Sequence, residues 1–451
     1  MALKNADLIY DEFGWDKRKA APGHQEIEIG LVKLYIVTGE KKYLDQAKFF
    51  LDVRGPDGEE YSQSHMKVVD QREAVGHAVR AAYMYTGIAD VAALTNDQEY
   101  INAINHIWED VVHGKMYVTG GIGASGGNEG FGEPYHLPNM SAYCETCASI
   151  ANVFWNHRMF LHHGESKYYD VLERTLYNAL LSGVSLSGDR FFYPNVLESA
   201  GQHQRQAWFG CACCPSNISR FIPSVPGYVY ARTPDEIYVN IYLDNSASIE
   251  KGDNKVELVQ KTNYPWDGDI EITVNPVIEE RFAIKLRIPG WARDVAIPGN
   301  LYSFIDEEDE DIQLSVNGKN IKVSDTDGYA AIKRKWKKGN IIKLVLPMPV
   351  RKLITDERVE ADRNKFSVKR GPLMYCAEWA DNPGEEVLSL VFDPEAEMKT
   401  EFIEDKLNGA IVIKTVASPA KKTLKNEVML GDRQEAVLIP YHLWNRMLWG
   451  W

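Results

Sequence analysis

The sequence has few cysteines, no long apolar run and no excess of positive charge, and each absence excludes a class of protein. Six cysteines in 451 residues are too few for the disulfide framework of a small secreted domain. No apolar segment is long enough to span a bilayer. The formal net charge of −14 argues against nucleic acid or an anionic membrane as a partner. The first residues lack the apolar core of a secretory signal, which predicts a cytoplasmic protein.

Five of the six cysteines lie in two short segments, CETC at 144–147 and CACCP at 211–215. Thiolates at this spacing are typical ligands of zinc, which takes four N, S or O donors in a tetrahedron. A metal-bound thiolate is also the nucleophilic form of cysteine. Spacing alone favours Cys144 and Cys147 as ligands, because residues three apart share a helix face. Spacing does not decide between a purely structural zinc site and a reactive one.

The hydrophobic pattern changes near residue 230. Before it, apolar periodicity predicts seven or eight helices. A weak repeat at 34–45 and 159–170, with a looser copy ending at Gly87, indicates stacked helical hairpins. The glycine of each copy is expected at a helix C-terminus, where a left-handed residue is needed. After it, short alternating segments such as 236–243, separated by turn residues, predict antiparallel β-sandwiches. We therefore expect an α + β chain with a helical domain over 1–230 and β-sandwiches over 231–355 and 356–451.

A glycine-rich segment, TGGIGASGGNEG at 119–130, lies just upstream of the first cysteine cluster. It lacks the Lys-Ser/Thr ending of a phosphate-binding loop. Such a loop can present a carboxylate for general acid/base catalysis, and Glu129 is the candidate, with Glu133 as the alternative. A solvated loop carboxylate is the competing interpretation. The acidic run at 306–311 is interpreted as a solvated loop, with a calcium site as the alternative.

These segments resemble one known family. NEGFGEPYHLPNMSAYCETCASI at 128–150, RTLYNALLSGVSLSGDRFFYPN at 174–195 and CACCPSN at 211–217 are similar to the β-L-arabinofuranosidases of glycoside hydrolase family 127. GHQEIEIGLVKLYIVTG at 23–39 and RGPLMYC at 370–376 look like the same family. The resemblance implies an (α/α)6-type barrel followed by β-sandwich domains. Because relatives are longer at the N-terminus, the barrel is expected to be incomplete there.

The resemblance also implies a reaction and a role for individual residues. β-L-Arabinofuranosidic bonds would be hydrolysed with retention, with Cys213 as nucleophile and Glu129 as acid/base. The implied zinc ligands are Glu145, Cys147, Cys213 and Cys214. The implied sugar contacts are His24, His77 and Tyr193. Glu145 thus replaces Cys144, and since Glu145 and Cys147 cannot share a face of a regular helix, the site is expected at a helix end.

Three hypotheses follow from the sequence. The first is an active glycosidase with a carbohydrate substrate. The second is an inactive zinc-containing fragment or a carbohydrate-binding pseudoenzyme of the same family, with self-association through an exposed apolar barrel edge. The third is a zinc hydrolase that uses metal-bound water and keeps the cysteines only as ligands. Residue types do not determine which sugar is bound.

Overall fold

Helices occupy the N-terminal half of the chain and sheets the remainder. The computed structural model describes residues 1–306, 310–382, 386–405, 407–422 and 427–445. Part of the acidic run, 307–309, and the last six residues of the expected second sandwich lie outside these ranges. Within them the chain is a multidomain α + β protein, as predicted, and no helix there is both long and apolar enough to cross a membrane.

Eight α-helices precede residue 230 in the described chain, within the predicted number. They are α1 (Ala2–Glu12), α2 (Ile27–Thr38), α3 (Lys41–Asp52), α4 (Ala78–Thr95), α5 (Gln98–Asp110), α6 (Thr146–His163), α7 (Lys167–Arg174) and α8 (Cys213–Phe221).

Two copies of the repeat end helices as expected, and the third does not. α2 ends at Gly39 and α6 at Gly164, both left-handed with φ of 73° and 76°, the conformation that favours glycine. Gly87 instead lies in the middle of α4, so the prediction of a helix end there was wrong. Its role is close packing, because a Cβ at Gly87 would lie 2.9 Å from the Cβ of Glu28 in α2.

Twenty strands follow in the part of the chain that the structure describes. They are β1 (Tyr230–Arg232), β2 (Glu236–Val239), β3 (Asn245–Lys251), β4 (Asn254–Thr262), β5 (Asp269–Pro276), β6 (Glu280–Arg287), β7 (Tyr302–Phe304), β8 (Gln313–Val316), β9 (Lys319–Asn320), β10 (Asp325–Thr326), β11 (Tyr329–Trp336), β12 (Asn340–Val345), β13 (Val350–Thr355), β14 (Ser367–Arg370), β15 (Leu373–Ala377), β16 (Leu390–Phe392), β17 (Lys399–Ile403), β18 (Ala410–Lys422), β19 (Val428–Leu430) and β20 (Gln434–Pro440).

Within the described ranges the strands form three sheets. A five-stranded sheet in the order β1-β2-β6-β11-β10 and a six-stranded sheet in the order β3-β4-β5-β12-β8-β9 share one apolar core that contains Ile272, Leu286 and Trp336. The third sheet runs β16-β18-β20-β15-β14-β13-β7, with β17 and β19 also paired to β18. The pairings are antiparallel apart from β2 with β6. These two strands are parallel and are connected through β3, β4 and β5 of the opposite sheet, which supply the crossover that a parallel pair needs.

A buried ionic cluster joins the helical part to the first two sheets. Arg287 of β6 has a fully buried side chain, and its Nη1 donates to Oδ1 of Asp170 in α7 at 2.8 Å. Its Nη2 donates to Glu173, one turn further along α7. Tyr264 also donates to Glu173, at 2.6 Å. Pairing of this kind is what allows charges to remain in a protein interior.

Candidate active site

Two helix N-termini converge on a group of three thiols and one carboxylate. Glu145 is the residue before α6, and Cys147 is the second residue of that helix. Cys213 and Cys214 begin α8. The possible ligand atoms of these four residues all lie within 4.8 Å of one another. Glu145 thus occupies a helix end, which agrees with its two-residue spacing from Cys147.

The distances within this donor group are short. Sγ of Cys214 lies 3.6 Å from Sγ of Cys147 and 3.8 Å from Sγ of Cys213. Oε1 of Glu145 lies 3.6 Å from the sulfur of Cys213 and 3.5 Å from that of Cys214. None of the six cysteines forms a disulfide. The group has the residue types and spacing to hold a metal ion.

The buried state of the group supports the same conclusion. Glu145 and Cys147 are 2% exposed and Cys214 is 1% exposed. Oε2 of Glu145 has no hydrogen-bond partner among the described residues. A buried carboxylate oxygen without a donor is costly, and a cation bound by the group would satisfy it.

The thiols and the carboxylate strongly affect one another. Burial, together with the neighbouring Cys213, raises the pKa of Glu145 to about 8. Hydrogen bonds from the thiols of Cys147 and Cys214 lower the pKa of Cys213, whereas burial raises the pKa of Cys214. Cys213 is half-buried whereas Cys147 and Cys214 are fully buried, so it is the most accessible thiol of the donor group.

Cys213 also has a polar neighbour outside the donor group. The hydroxyl of Tyr193 lies 3.0 Å from its sulfur, within hydrogen-bond distance. The ring of Phe209 packs edge-on against Tyr193, with centroids 5.4 Å apart. The first turn of α8 adds a partial positive charge at the position of Cys213, which favours its thiolate form.

Glu129 pairs with His77 beside this group. Nε2 of His77 lies 3.1 Å from Oε2 of Glu129. Nδ1 of His77 accepts the backbone N–H of Arg80 at 3.3 Å, at the start of α4, so Nε2 carries the proton and donates to Glu129. Burial lowers the pKa of His77, which keeps the imidazole neutral.

The position of Glu129 connects the pair to the donor group. His77, Glu129 and Glu145 also have possible ligand atoms within 4.8 Å of one another. Glu129 has a left-handed backbone, with φ of 52°, and its carbonyl accepts the N–H of Ala78 at 3.0 Å. Strained backbone of this kind persists where the surroundings hold it and is concentrated at functional sites.

His24 and Tyr193 complete the set of residues that the sequence singled out. The ring of His24 lies 6.3 Å from that of His77 and 6.2 Å from that of Tyr83. The structure therefore brings the predicted residues into one region.

Two other candidates lie outside the group. Cys144 is 1% exposed and is not part of the donor group; its N–H donates to the carbonyl of Gly123. Glu133, the alternative acid, is exposed and belongs to neither ligand group found among the described residues.

Sequence reasoning missed a buried polar layer beneath His24 and His77. Its members include Gln25, Gln63 and Gln71, each at most 1% exposed. Gln25 lies next to His24 in the segment at 23–39 that resembles the family, and this position was the one signal in the sequence that could have indicated its role. Gln63 and Gln71 lie in a loop region without a periodic pattern, so nothing in the sequence distinguished them.

Comparison with known proteins identifies the family. Residues 1–227 match the family model described as "Beta-L-arabinofuranosidase, GH127 catalytic domain". Residues 236–348 match the GH127 middle domain and residues 350–447 the family 127 C-terminal domain. The chain is 34% identical to a non-reducing end β-L-arabinofuranosidase of Bifidobacterium longum subsp. longum, over 98% of this chain and 72% of that protein.

Solved structures give the same result. The chain is similar to the GH127 β-arabinofuranosidase BT3674, with a TM-score of 0.95 and 50% identity over 99% of this chain and 70% of the other. It is also similar to a GH127 β-L-arabinofuranosidase from Geobacillus stearothermophilus T6, with a TM-score of 0.90 and 37% identity over 98% and 74% of the two chains. The chain therefore belongs to glycoside hydrolase family 127 and is a glycosidase.

Proposed function

We propose that this protein hydrolyses β-L-arabinofuranosidic bonds with retention, using the thiolate of Cys213 as nucleophile and Glu129 as acid/base. The observation that carries the proposal is the setting of Cys213: a half-buried thiol at the first position of α8, inside a donor group that is otherwise buried. The β-L-arabinofuranosidase activity named for the relatives supports the choice of sugar.

We propose zinc as the metal of the donor group, held by Glu145, Cys147, Cys213 and Cys214. Three sulfurs and one carboxylate oxygen suit this ion. Thiolates at about 2.3 Å from a tetrahedral zinc ion are about 3.8 Å apart, close to the measured separations of 3.6 and 3.8 Å between the sulfur of Cys214 and those of its neighbours. When bound, zinc would keep Cys213 deprotonated at neutral pH.

In the first step, the sulfur of Cys213 attacks the anomeric carbon and forms a C–S bond as the C–O bond to the leaving group breaks. Glu129, in its protonated form, donates its proton to the departing oxygen. Donation from His77 fixes the orientation of the carboxyl group. The product is a thioglycosyl intermediate on Cys213 and a released alcohol.

In the second step, Glu129 acts as a base. It removes a proton from a water molecule, whose oxygen attacks the anomeric carbon from the face opposite the sulfur. The C–S bond breaks, Cys213 returns to the thiolate, and Glu129 is protonated again for the next cycle. Two inversions give net retention, with sulfur in place of the carboxylate nucleophile of most retaining glycosidases. His24, His77 and Tyr193 are proposed to contact the sugar.

We also propose a domain organisation. The eight helices would form most of an (α/α)6-type barrel, a proposal supported by the similarity to solved family 127 structures. A first β-sandwich would comprise the five- and six-stranded sheets. The C-terminal unit would cover 356–451, as predicted, and the family model for the C-terminal domain, which matches residues 350–447, supports a unit in this part of the chain.

The test is release of an aryl leaving group from an aryl β-L-arabinofuranoside, with bound zinc quantified in the same sample. We expect turnover in the wild type and its loss in Cys213→Ser. Cys213→Asp, which retains a metal-ligating side chain, should also be inactive. Turnover in Cys213→Asp would instead support hydrolysis without a cysteine nucleophile, and absence of wild-type turnover with one zinc per chain would contradict the proposed activity.

A further inference from the structure

Three fully buried glutamines lie directly beneath the histidines of the site. Gln25 and Gln63 are 0% exposed and Gln71 is 1% exposed. Burying a carboxamide is costly unless its polar atoms are hydrogen-bonded, and the amide nitrogen of each of the three donates to a partner. The hydrogen-bond partners of these three side chains show which segments of the chain they connect.

Gln25 connects the segment of His24 to Gln63. Nε2 of Gln25 donates to Oε1 of Gln63 at 2.7 Å and to the carbonyl of Ser62 at 2.6 Å. Gln25 directly follows His24 and precedes α2. These bonds therefore attach the backbone that carries His24 to the loop at 60–63.

Gln63 connects the same loop to His77. Its Nε2 donates to the carbonyls of Val75 at 2.8 Å and Tyr61 at 3.2 Å. The carbonyl of Tyr61 also accepts the backbone N–H of His77 at 3.1 Å. Gln63 thus bonds to the backbone at both ends of the segment from Tyr61 to Val75. This segment leads directly to His77, which donates to Glu129.

The backbone of Gln63 shows that this arrangement is imposed by its surroundings. Gln63 has φ of 52° and ψ of 36°, a left-handed conformation that glutamine rarely adopts. Gln71 donates from Nε2 to the carbonyl of Gln63 at 2.9 Å. A strained residue held by side chains from two other segments is a fixed point rather than a flexible loop.

We propose that Gln63 is a positioning residue of the acid/base: through Tyr61 and His77 it aligns Glu129, and through Gln25 it sets the place of His24 relative to that pair. The inference rests on the proposed function. The hydrogen bonds described for Gln63 do not reach the donor group, which includes the proposed nucleophile, so its removal should impair proton donation and leave metal binding intact.

The test compares two leaving groups. Gln63→Met keeps the size of the side chain and removes its hydrogen bonds, and Gln63→Glu keeps the acceptor for Gln25 but loses the donor to Tyr61 and Val75. kcat/KM is measured for a methyl and a dinitrophenyl β-L-arabinofuranoside. Methoxide needs protonation to leave and dinitrophenolate does not. We expect the loss to be at least about tenfold greater with the methyl glycoside, since general acid catalysis contributes about 10²–10⁴.

Gln46→Met is the matched control, since Gln46 is another buried glutamine, 3% exposed, in α3. It should affect both substrates equally and weakly. A variant of Gln63 that loses equal activity on both substrates, or none, would overturn the inference. Zinc content and melting temperature are measured for each variant, and either of the two substitutions suffices if the other does not fold.

A crystal structure of the Gln63 variant makes the test independent of substrate. The distance from Nε2 of His77 to Oε2 of Glu129, 3.1 Å in the native chain, should lengthen beyond hydrogen-bond range. An unchanged distance would overturn the positioning role. Failure of the wild type on both glycosides would contradict the proposed function alone, and the structural comparison would still decide the role of Gln63.

Discussion

The hydroxyl of Tyr193 lies 3.0 Å from the sulfur of Cys213. A phenol at this distance can donate to a thiolate, and hydrogen bonds to charged groups are worth about 1.5–3 kcal/mol. Phe209 packs edge-on against the ring of Tyr193 and limits its motion. The bond therefore orients the sulfur as well as stabilising it.

Removing that hydroxyl should slow the reaction without removing the metal. In Tyr193→Phe we expect kcat/KM for an aryl β-L-arabinofuranoside to fall about 10- to 100-fold, the kinetic equivalent of the lost hydrogen bond. Zinc content should remain at the wild-type value, because the phenol is not in the donor group. Tyr35→Phe is the control for loss of a tyrosine hydroxyl, since Tyr35 is a half-buried residue of α2 outside the site. Unchanged kinetics in Tyr193→Phe would exclude a role for the bond.

Metal removal should destabilise the protein, because the donor group joins the start of α6 to the start of α8. In Glu145→Ala we expect substoichiometric zinc and a lower melting temperature, and a chelator should lower the wild-type value similarly. Cys144→Ala is the matched control: it removes a buried side chain next to Glu145 but no ligand. Its zinc content should stay at one per chain. Full zinc occupancy in Glu145→Ala would exclude Glu145 as a ligand.

The buried ionic cluster between α7 and β6 should contribute more to the free energy of unfolding than an exposed ion pair does. Arg287→Met leaves the buried carboxylates of Asp170 and Glu173 without their main partner, and removal of one partner from a buried pair costs about 3–5 kcal/mol. Lys343→Met breaks an exposed pair with Glu271, 3.0 Å apart, and such pairs contribute about 0–1 kcal/mol. The free energy of unfolding in urea measures both. Equal losses would contradict a structural role for the cluster.

The donor group was within reach of sequence reasoning, and the layer that supports it was not. Clustered cysteines predicted a metal site, but spacing favoured Cys144, and only the family resemblance indicated Glu145, which lies in the donor group. The physical reason is visible in the structure: a helix begins at Thr146, so Glu145 and Cys147 are not governed by regular helical spacing. Similarly, the motif around Gly87 predicted a helix end because glycine is common at helix termini. The structure shows a second reason for a glycine, the close packing of α4 against Glu28.

Tertiary contacts account for the other differences. The parallel pairing of β2 with β6 depends on strands that cross to another sheet, which alternation along the chain does not encode. Gln63 has no periodic neighbours, and its role arises from contacts with Gln25 and Val75, 38 and 12 residues away. Local patterns therefore predicted whether each region is helical or β. The contacts between distant segments could be identified only from the structure.

Acid should destabilise the protein through His157 of α6. Its ring packs edge-on against Tyr228 at 4.8 Å, and burial lowers its pKa from 6.5 to about 3. Between these values the unfolded chain binds a proton that the folded chain does not, so the free energy of unfolding falls as the pH drops below about 6.5, by at most about 1.4 kcal/mol per pH unit.

Above pH 6.5 His157 should not contribute to the pH dependence of the free energy of unfolding, because its imidazole is neutral in both the folded and the unfolded chain. His157→Phe keeps an aromatic ring against Tyr228 and removes the titration, so its urea midpoint should fall less between pH 7 and pH 5 than that of the wild type. His106→Phe replaces an exposed histidine of α5 and should keep the wild-type slope. A wild-type slope in His157→Phe would show that other groups dominate the acid sensitivity, since the only change is the loss of one imidazole.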